Sequence, residues 1–129
     1  MIEGMRRLFV FVFALVTLVG CSSGSQSLSP TDFQKLTSES GVITLDVRTP
    51  AEFAAGHLSN AVNVDVESPD FATQIGQLDP KASYAVYCRS GNRSKVAMEQ
   101  ISAAGFTTTH DLDGGIVAWQ AAGLPVTTG

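Results

Sequence analysis

Cysteine and histidine are scarce in this sequence, which has 129 residues and two of each. The two cysteines, Cys21 and Cys88, lie far apart, so the chain holds no Cys-x-x-Cys dithiol. His57 and His110 do not combine with either cysteine at a spacing that is typical of zinc ligands. This scarcity excludes dithiol redox chemistry, and we expect no metal site.

Positive charge is also in short supply. Lys and Arg together number 8 against 12 Asp and Glu, which gives a formal net charge of −4. Binding to nucleic acid requires cations that neutralise several phosphates, and adhesion to acidic lipid requires a polybasic patch. We therefore expect no nucleic-acid partner and no electrostatic attachment to membranes.

Only one long hydrophobic run is present, and it lies close to the amino terminus. Arg6 and Arg7 precede the run "LFVFVFALVTLV" (residues 8–19), and Gly20 and Cys21 follow it. A basic start, an apolar stretch and a small-residue cleavage site are together typical of a secretory signal peptide. The run is shorter than the roughly 20 apolar residues that a membrane-spanning helix needs. A retained membrane anchor is therefore the less favoured alternative.

The end of this run, "LVGC", resembles the bacterial lipoprotein signal. The resemblance implies a signal peptide at residues 1–20 and a lipid on Cys21, so that the exported protein is anchored to a membrane and faces the periplasm or the cell exterior. Ser22 resembles the sorting residue of the outer-membrane type, for a cell with two membranes. Residues 21–28, rich in Ser and Gly, then fit a flexible tether, with a disordered terminus that carries no address as the alternative.

Residues 29–129 form the expected folded domain, whose length suits a single hydrophobic core. Short apolar runs predict four strands, at residues 41–47, 61–66, 83–88 and 109–112. Capping residues, prolines and apolar spacing predict five helices, at residues 29–37, 49–57, 68–78, 94–105 and 116–123. Strands that alternate with helices predict an α/β fold whose mostly parallel sheet is covered by helices on both faces.

The stretch "CRSGNRS" (residues 88–94) begins where the strand predicted at residues 83–88 ends. In parallel sheets, ligands bind where strands give way to loops and helix N-termini, because unpaired backbone N–H groups there attract an anion. The loop supplies positive charge from Arg89 and Arg93 and hydroxyl groups from Ser90 and Ser94. Gly91 and Asn92 tolerate the backbone angles of a tightly curled loop.

Cys88 stands at the head of this anion-binding loop. With Cys21 lipidated, it is the only free thiol, and no intramolecular disulfide can form. Helix N-termini and nearby cations lower a cysteine pKa from about 8.5 into a range of roughly 3.5 to 7.5, so we expect a thiolate near neutral pH. Such a thiolate can attack a sulfur, phosphorus or arsenic centre that bears anionic oxygens. A buried structural cysteine is the alternative.

Three stretches resemble the rhodanese family of sulfurtransferases: "LDVRTPAEFAAGHLSNAVNV" (45–64), "YCRSGNRS" (87–94) and "LDGGIVAWQAAGLPV" (112–126). They follow the family's order and spacing, within a resemblance that covers roughly residues 28–127. It implies a rhodanese-like fold with about five short strands, and an enzyme of the thiosulfate sulfurtransferase type. Catalytic Cys88 would take the outer sulfur of thiosulfate or a related persulfide donor, hold it as a persulfide and pass it to cyanide or a thiol, without a metal or organic cofactor.

The length of the loop separates two reaction classes that share this architecture. Dual-specificity phosphatases and arsenate reductases place one residue more between Cys and Arg than the four that separate Cys88 from Arg93. The shorter loop resembles the sulfurtransferase type and implies sulfur transfer over phosphoryl or arsenate chemistry. Backbone N–H groups of residues 89–94 are expected to stabilise the persulfide, while Arg89 and Arg93 bind the sulfonate end of the donor.

Asp46 and Arg48 resemble the family's Asp-x-Arg pair. The resemblance implies that they lie beside the loop and order it through charge-assisted hydrogen bonds, with a purely structural role as the alternative. For the other matching residues we expect structural roles. Glu52 is expected to be a solvated helix residue, and His57 a hydrogen-bonding residue. Trp119 is expected in the core, and Gly114 and Gly115 in a turn.

Two other functions stay open, a non-catalytic binding module and a membrane-tethered persulfide carrier that a partner protein loads. Binding modules of this family have usually lost the loop cysteine, so Cys88 favours catalysis. We expect a monomer, because single-domain relatives of this size build the site without a partner.

Overall fold

The structure is a computed structural model in which residues 26–129 are described. The predicted signal peptide, the lipidation site Cys21 and most of the predicted tether lie outside these residues. The described chain forms five strands, Gln26–Leu28 (β1), Val42–Asp46 (β2), Val62–Asn63 (β3), Ser83–Tyr87 (β4) and Thr108–Leu112 (β5). Its helices are Pro30–Thr37 (α1), Pro50–Ala55 (α2), Phe71–Ile75 (α3), Asn92–Ala103 (α4) and Gly115–Ala121 (α5).

All five strands join one parallel sheet in the order β1-β5-β4-β2-β3. Strand β4 lies at the centre, with β2 and β5 on its two sides. The register pairs Val42 with Ser83 and Asp46 with Tyr87, so β2 and β4 end level with each other. The carboxyl ends of these strands therefore share the edge at which Cys88 follows β4, and the predicted α/β class with its parallel sheet is confirmed.

Side chains alternate along β4 and divide the core into two layers. Tyr84 and Val86 pack into a layer closed by α3 and α4, whereas Ala85 and Tyr87 pack into a layer closed by α1 and α5. Strands β2 and β4 thus pack against helices on both faces, which matches their largely apolar sequences. Between residues 26 and 129, no helix is long and apolar enough to cross a membrane.

Two strands differ from the sequence prediction. Residues 26–28, assigned to the tether, form β1, which pairs with β5 along a short three-residue register. The strand predicted at residues 61–66 is reduced to the two residues of β3. The chain beyond β3 still donates hydrogen bonds to the end of β2, from Val64 N–H to Asp46 O at 2.9 Å and from Val66 N–H to Val47 O at 3.2 Å. It follows β2 without continuing the regular ladder.

Helices α1 and α2 begin where their capping residues predict. Ser29 Oγ accepts a hydrogen bond from Asp32 N–H at 3.2 Å at the start of α1. Thr49 and Glu52 form a reciprocal capping box at the start of α2, in which each side chain accepts from the other residue's backbone N–H. Helix α4 begins at Asn92, two residues before the predicted start, which places most of the CRSGNRS stretch within or next to its first turn.

Candidate active site

Cys88 lies between the end of β4 and the start of α4 and is 1% exposed. Its sulfur accepts a hydrogen bond from Gly91 N–H at 3.0 Å and lies 3.6 Å from Ser94 Oγ. Gly91 can turn its N–H toward the sulfur because its φ of +103° is in the left-handed region, which glycine enters without a Cβ clash. The loop therefore curls around the thiol, as the sequence predicts.

These contacts control the ionisation of the thiol. Burial alone would raise the pKa of Cys88 because it removes water from the charged form. The Ser94 hydroxyl and the backbone N–H groups of Ser94, Gly91 and Ser90 outweigh burial, and the pKa of Cys88 falls below its ordinary value. The site thus favours a thiolate, the nucleophilic form of cysteine.

The first turn of α5 fixes the backbone of the loop from the other side. Ile116 N–H donates to Cys88 O at 2.9 Å, and Val117 N–H donates to Arg89 O at 3.1 Å. Gly115, with φ of +62°, packs so closely that a methyl group at its Cα would overlap the Arg89 carbonyl group and lie 2.6 Å from Cys88 O. With both carbonyl groups held by α5, the N–H groups of the loop remain directed at the sulfur. The Gly114–Gly115 turn is therefore part of the site.

Arg93 and Glu52 form a bidentate ion pair, with distances of 2.7 and 2.9 Å between guanidinium nitrogens and carboxylate oxygens. Hydrogen bonds from Arg93, more than offsetting burial, lower the pKa of Glu52 to about 2. The same pairing raises the pKa of Arg93. The solvated position expected for Glu52 is wrong, because this residue joins α2 to the start of α4. Arg93 is thus engaged by Glu52.

Arg89, Ser90 and Asn92 form the exposed flank of the loop. Arg89 has no ion pair within residues 26–129. Together with Arg48 it lines a cavity of about 460 Å³ between α2 and α5. Val117 and Val126, which are 50% and 38% exposed, contribute apolar surface to the same cavity. Arg89 is thus the loop cation that can meet an anionic substrate.

Asp46 and Arg48 form a buried ion pair behind the loop. Arg48 donates to both carboxylate oxygens of Asp46 and, at 2.7 Å, to Gly56 O. Tyr87 O–H donates to Asp46 Oδ2 at 2.6 Å and accepts from Leu58 N–H at 3.0 Å. Burial would lower the pKa of Arg48, but the bonds to Asp46 raise it. Among the described residues, the two side chains hydrogen-bond outside the pair only to Gly56 O, directly after α2, and to Tyr87 on β4, with no bond to residues 89–94, so the pair braces the walls of the site.

His57 and Trp119 have structural contacts. His57 Nδ1 lies 2.7 Å from Phe53 O, and its ring stacks on the Phe53 ring with centroids 3.7 Å apart. Its backbone exchanges two hydrogen bonds of 2.8 Å with Thr127. Trp119 is 4% exposed and donates from Nε1 to Pro125 O at 2.8 Å. Neither ring reaches the sulfur through a hydrogen bond. Within residues 26–129, no group of three or more metal-ligating side chains is present.

Asp111 is a site neighbour that sequence reasoning missed. It lies 2% exposed on β5, and its Oδ2 is 3.1 Å from Ser94 Oγ. The sequence around it reads as an ordinary strand, and only the side-by-side placement of β5 and β4 brings it to the loop. The Glu52–Arg93 pair and the packing of Gly115 were missed for the same reason, although all three lie in or next to the stretches that resemble the rhodanese family.

The sequence and the fold can both be matched to known proteins. The family model of the rhodanese-like domain matches residues 29–122. The chain is 42% identical over 94 residues to thiosulfate sulfurtransferase 16, chloroplastic, of Arabidopsis thaliana, a match that covers 63% of this chain and 76% of that protein. It is 33% identical over 102 residues to a sulfurtransferase of Allochromatium vinosum, covering 79% of this chain and 90% of that protein.

Among solved structures, a rhodanese-related protein from Thermoplasma volcanium superposes with a TM-score of 0.72 at 31% identity, covering 81% of this chain and 99% of that one. Other relatives are longer. The chain spans about half the length, 54%, of matching proteins from Synechocystis and Raphanus sativus. It spans 36% of a tRNA uridine(34) hydroxylase from Chlamydia trachomatis at 32% identity. The same domain therefore occurs within proteins that carry different names.

Proposed function

Because this chain belongs to the family of rhodanese-like domains, we propose that it is a sulfurtransferase that moves sulfane sulfur through a persulfide on Cys88. The observation that carries the proposal is the placement of the sulfur, 3.0 Å from Gly91 N–H and in reach of Ser94 within a loop of the sulfurtransferase length. Those donors lower the pKa of the thiol and favour the nucleophile.

In the first step the Cys88 thiolate attacks the outer sulfur of thiosulfate. A bond forms between Sγ and that sulfur, the S–S bond of the donor breaks, and its electron pair leaves with sulfite. Backbone N–H groups of the loop stabilise the negative outer sulfur of the persulfide. Arg89 binds the sulfonate oxygens and favours their departure, because Arg93 is already paired with Glu52.

In the second step an acceptor nucleophile attacks the outer sulfur of the persulfide. Cyanide then leaves as thiocyanate, or a thiolate leaves as a new persulfide, and the electron pair of the cleaved S–S bond returns to Cys88 Sγ. No net oxidation takes place, so the cycle needs no external electron donor. The donor class is thiosulfate or a related persulfide, and the acceptor class is cyanide or a thiol.

A membrane-tethered persulfide carrier is the second candidate function. Exposed Val117 and Val126 beside Arg89 favour it, because an apolar rim at the mouth of the site suits a protein that delivers or collects the sulfur. Transfer from a persulfide-loaded protein that is at least tenfold faster than transfer from thiosulfate would favour the carrier function.

The proposal includes an address and an oligomeric state. The "LVGC" motif supports export as a lipoprotein, with a lipid on Cys21 that holds the domain at a membrane and leaves it facing the periplasm or the exterior. A monomer suffices for the reaction, because every residue assigned a role here comes from one chain.

Intact-mass spectrometry of the chain with Cys21→Ser, in which Cys88 is the only thiol, tests the proposed activity. Thiosulfate should add one sulfur atom, and cyanide should remove it with formation of thiocyanate. Cys88→Ser in the same background is the matched control and should gain no mass. A folded, reduced protein that gains no sulfur from thiosulfate or from a small persulfide would refute the proposal.

A further inference from the structure

A polar cluster lies behind the active loop, on the side of Ser94 that faces β5. Its centre is Asp111, which is 2% exposed. Asp111 Oδ1 accepts a hydrogen bond from Ser27 Oγ at 2.5 Å, and Oδ2 lies 3.1 Å from Ser94 Oγ and 3.6 Å from Lys95 Nζ. A hydroxyl from β1, a hydroxyl from α4 and an ammonium group therefore converge on one carboxyl group from β5.

Ser94 connects this cluster to the reactive sulfur. Its hydroxyl oxygen is fully buried and lies within reach of three acceptors, Asp111 Oδ2 at 3.1 Å, Gly91 O at 3.1 Å and Cys88 Sγ at 3.6 Å. A hydroxyl group carries one hydrogen, so Ser94 can serve only one of these acceptors at a time.

The choice of acceptor affects the chemistry of the thiol. When Ser94 donates to Asp111, its lone pairs face Cys88 and favour the neutral S–H form, which can donate to them. When Ser94 donates to the sulfur, it favours the thiolate. The carboxyl group and the sulfur, together with Gly91 O, thus compete for the one hydrogen of Ser94.

We propose that Asp111 is a positioning residue that competes with the Cys88 sulfur for the Ser94 hydroxyl hydrogen and thereby sets how readily the thiol ionises. The role of this competition in sulfur transfer rests on the proposed function. The hydrogen serves the thiolate before sulfur is loaded and returns to Asp111 once the inner sulfur of the persulfide is neutral. Ser27 weakens the competition of Asp111 for the Ser94 hydrogen, because the Ser27 hydroxyl already donates to the other carboxylate oxygen of Asp111.

Other charges also act on the sulfur and on Asp111, and the experiment has to separate them from the hydrogen-bond effect. The charged groups around these two sites come from the segment after β2, from α2, from the segment before α3, from the active loop and from α4; they are Arg48, Glu52, Glu67, Arg89, Arg93, Lys95 and Glu99. All of them are unchanged in the variants below, so their contribution cancels in each comparison.

The test measures the rate of Cys88 alkylation by iodoacetamide as a function of pH in the Cys21→Ser chain. Asp111→Asn keeps the shape of the side chain, removes its charge, and can donate an amide hydrogen to Ser94 Oγ. The Ser94 hydroxyl then loses its charged competing acceptor and donates more to the sulfur, with Gly91 O as the remaining alternative. The apparent pKa of Cys88 should fall by about one unit, a tenfold gain in thiolate on the acidic side. Ser27→Ala removes the other donor to Asp111 and should shift the pKa in the opposite direction.

The matched background is Ser94→Ala, in which the link between Asp111 and the sulfur is cut. Asp111→Asn should shift the pKa there by less than half as much, since only the loss of charge remains. A shift of equal size in both backgrounds would refute the inference, as would an unchanged pKa in folded Asp111→Asn. If Asp111→Asn does not fold, the surface variant Ser27→Ala decides, and an unchanged or lowered pKa would refute the inference.

The alkylation assay needs no sulfur donor, so it is independent of the proposed activity. Coupling between Asp111 and Ser94 in a chain that forms no persulfide would refute the proposed function and leave this inference standing.

Discussion

At the scale of single residues, the two arginines of the loop differ in their ion pairing. Arg93 is bound to Glu52 through two hydrogen bonds, whereas Arg89 has no ion pair among residues 26–129. The sequence predicts that both of them bind the sulfonate of the donor, because two arginines in one loop cannot be told apart by sequence position alone. The pairing of Arg93 depends on α2, which approaches the loop only in the folded chain.

Arg89→Ala should raise the KM for thiosulfate by about fivefold to tenfold, the loss of about 1 kcal/mol of binding from one exposed charge-assisted contact. The kcat should change less, because the nucleophile and its N–H donors are untouched. Steady-state kinetics at constant ionic strength measure both values. Lys81→Ala is the matched control, because it removes the same charge from an exposed residue at the opposite end of β4. Equal effects of the two variants would contradict the role of Arg89.

Glu52→Gln should destabilise the protein in a pH-dependent manner. The pKa of Glu52 lies at about 2 because Arg93 hydrogen-bonds its carboxylate, whereas the unfolded chain has an ordinary glutamate pKa. The unfolded state therefore binds more protons between these two values, and the ion pair stabilises the fold above the unfolded pKa and is lost as pH falls through about 2. After a discount for the partial exposure of the pair, we expect a difference of about 1–2 kcal/mol at pH 7.

Urea unfolding of the wild type and of Glu52→Gln at a series of pH values measures this difference. The difference in the free energy of unfolding should be constant at neutral pH, decrease below pH 4 and approach zero near pH 2. A difference that does not depend on pH would show that the substituted amide perturbs packing and that the ion pair contributes little.

At the scale of secondary structure elements, α5 acts on the site through its first turn. Gly115 brings the helix against the carbonyl groups of Cys88 and Arg89, where Ile116 and Val117 donate hydrogen bonds. The sequence predicts a turn at this place, since two consecutive glycines have no other obvious use. The sequence does not predict the contact between this turn and the active loop, because the two segments are separated along the chain and the contact leaves no local sequence pattern.

Gly115→Ala should displace α5 from the loop and reduce both stability and activity. The added methyl group would lie within 2.6 Å of Cys88 O, in addition to the cost of a positive φ. We expect a loss of about 2–4 kcal/mol in the free energy of unfolding and at least a tenfold fall in kcat/KM. Chemical denaturation and sulfur-transfer kinetics measure these quantities.

Gly123→Ala is the matched control for this change. Its φ is +76°, close to that of Gly115, and a methyl group there would meet no atom within 4 Å. It should cost only the backbone strain of about 1–2 kcal/mol and leave kcat/KM unchanged. Equal losses of activity in both variants would contradict the role of α5 as a support of the loop.

The accuracy of the sequence prediction varied among elements for physical reasons. Strands β2 and β4 are apolar runs buried on both faces, and α1 and α2 carry side-chain caps, so local sequence predicted all four. Strand β1 was missed because its three largely exposed residues show no apolar periodicity and are held mainly by pairing with β5. Strand β3 was predicted too long because alternation continues after the chain leaves the ladder.

At the scale of the whole molecule, the sheet gathers the site from distant parts of the chain. The loop follows β4, Glu52 comes from α2, Asp111 from β5 and the clamping turn from α5, all at the carboxyl edge of parallel strands. The fold class and Cys88 could be predicted from sequence, because they depend on periodicity and on one local motif. The contacts that Glu52, Asp111 and Gly115 make with the loop could not, because they depend on which elements are neighbours. Gly91 and Ser94, which contact the sulfur, lie within the local motif.

Cys21→Ser should release the protein from membranes while the sulfur-transfer rate of the domain stays the same. The proposed lipid is attached at Cys21, which precedes the described residues, and the residues that carry the site lie within residues 26–129. Fractionation of cells into membrane and soluble material, followed by activity measurement on each, checks both expectations. Ser22→Ala, a neighbouring substitution that retains the cysteine, should stay with the membrane. Retention of Cys21→Ser would favour an uncleaved anchor.

If Cys88 carries a persulfide, as proposed, its burial determines which of the two sulfur atoms an acceptor can reach. A persulfide has two sulfur atoms that a thiol can strike, and attack on the inner one expels hydrogen sulfide and traps the protein as a mixed disulfide. Cys88, whose sulfur would be the inner atom, is 1% exposed before loading, and the S–S bond would place the added atom about 2 Å from that sulfur. In the proposed cycle the loop would therefore shield the inner atom from an acceptor, and its shape would direct transfer to the outer atom.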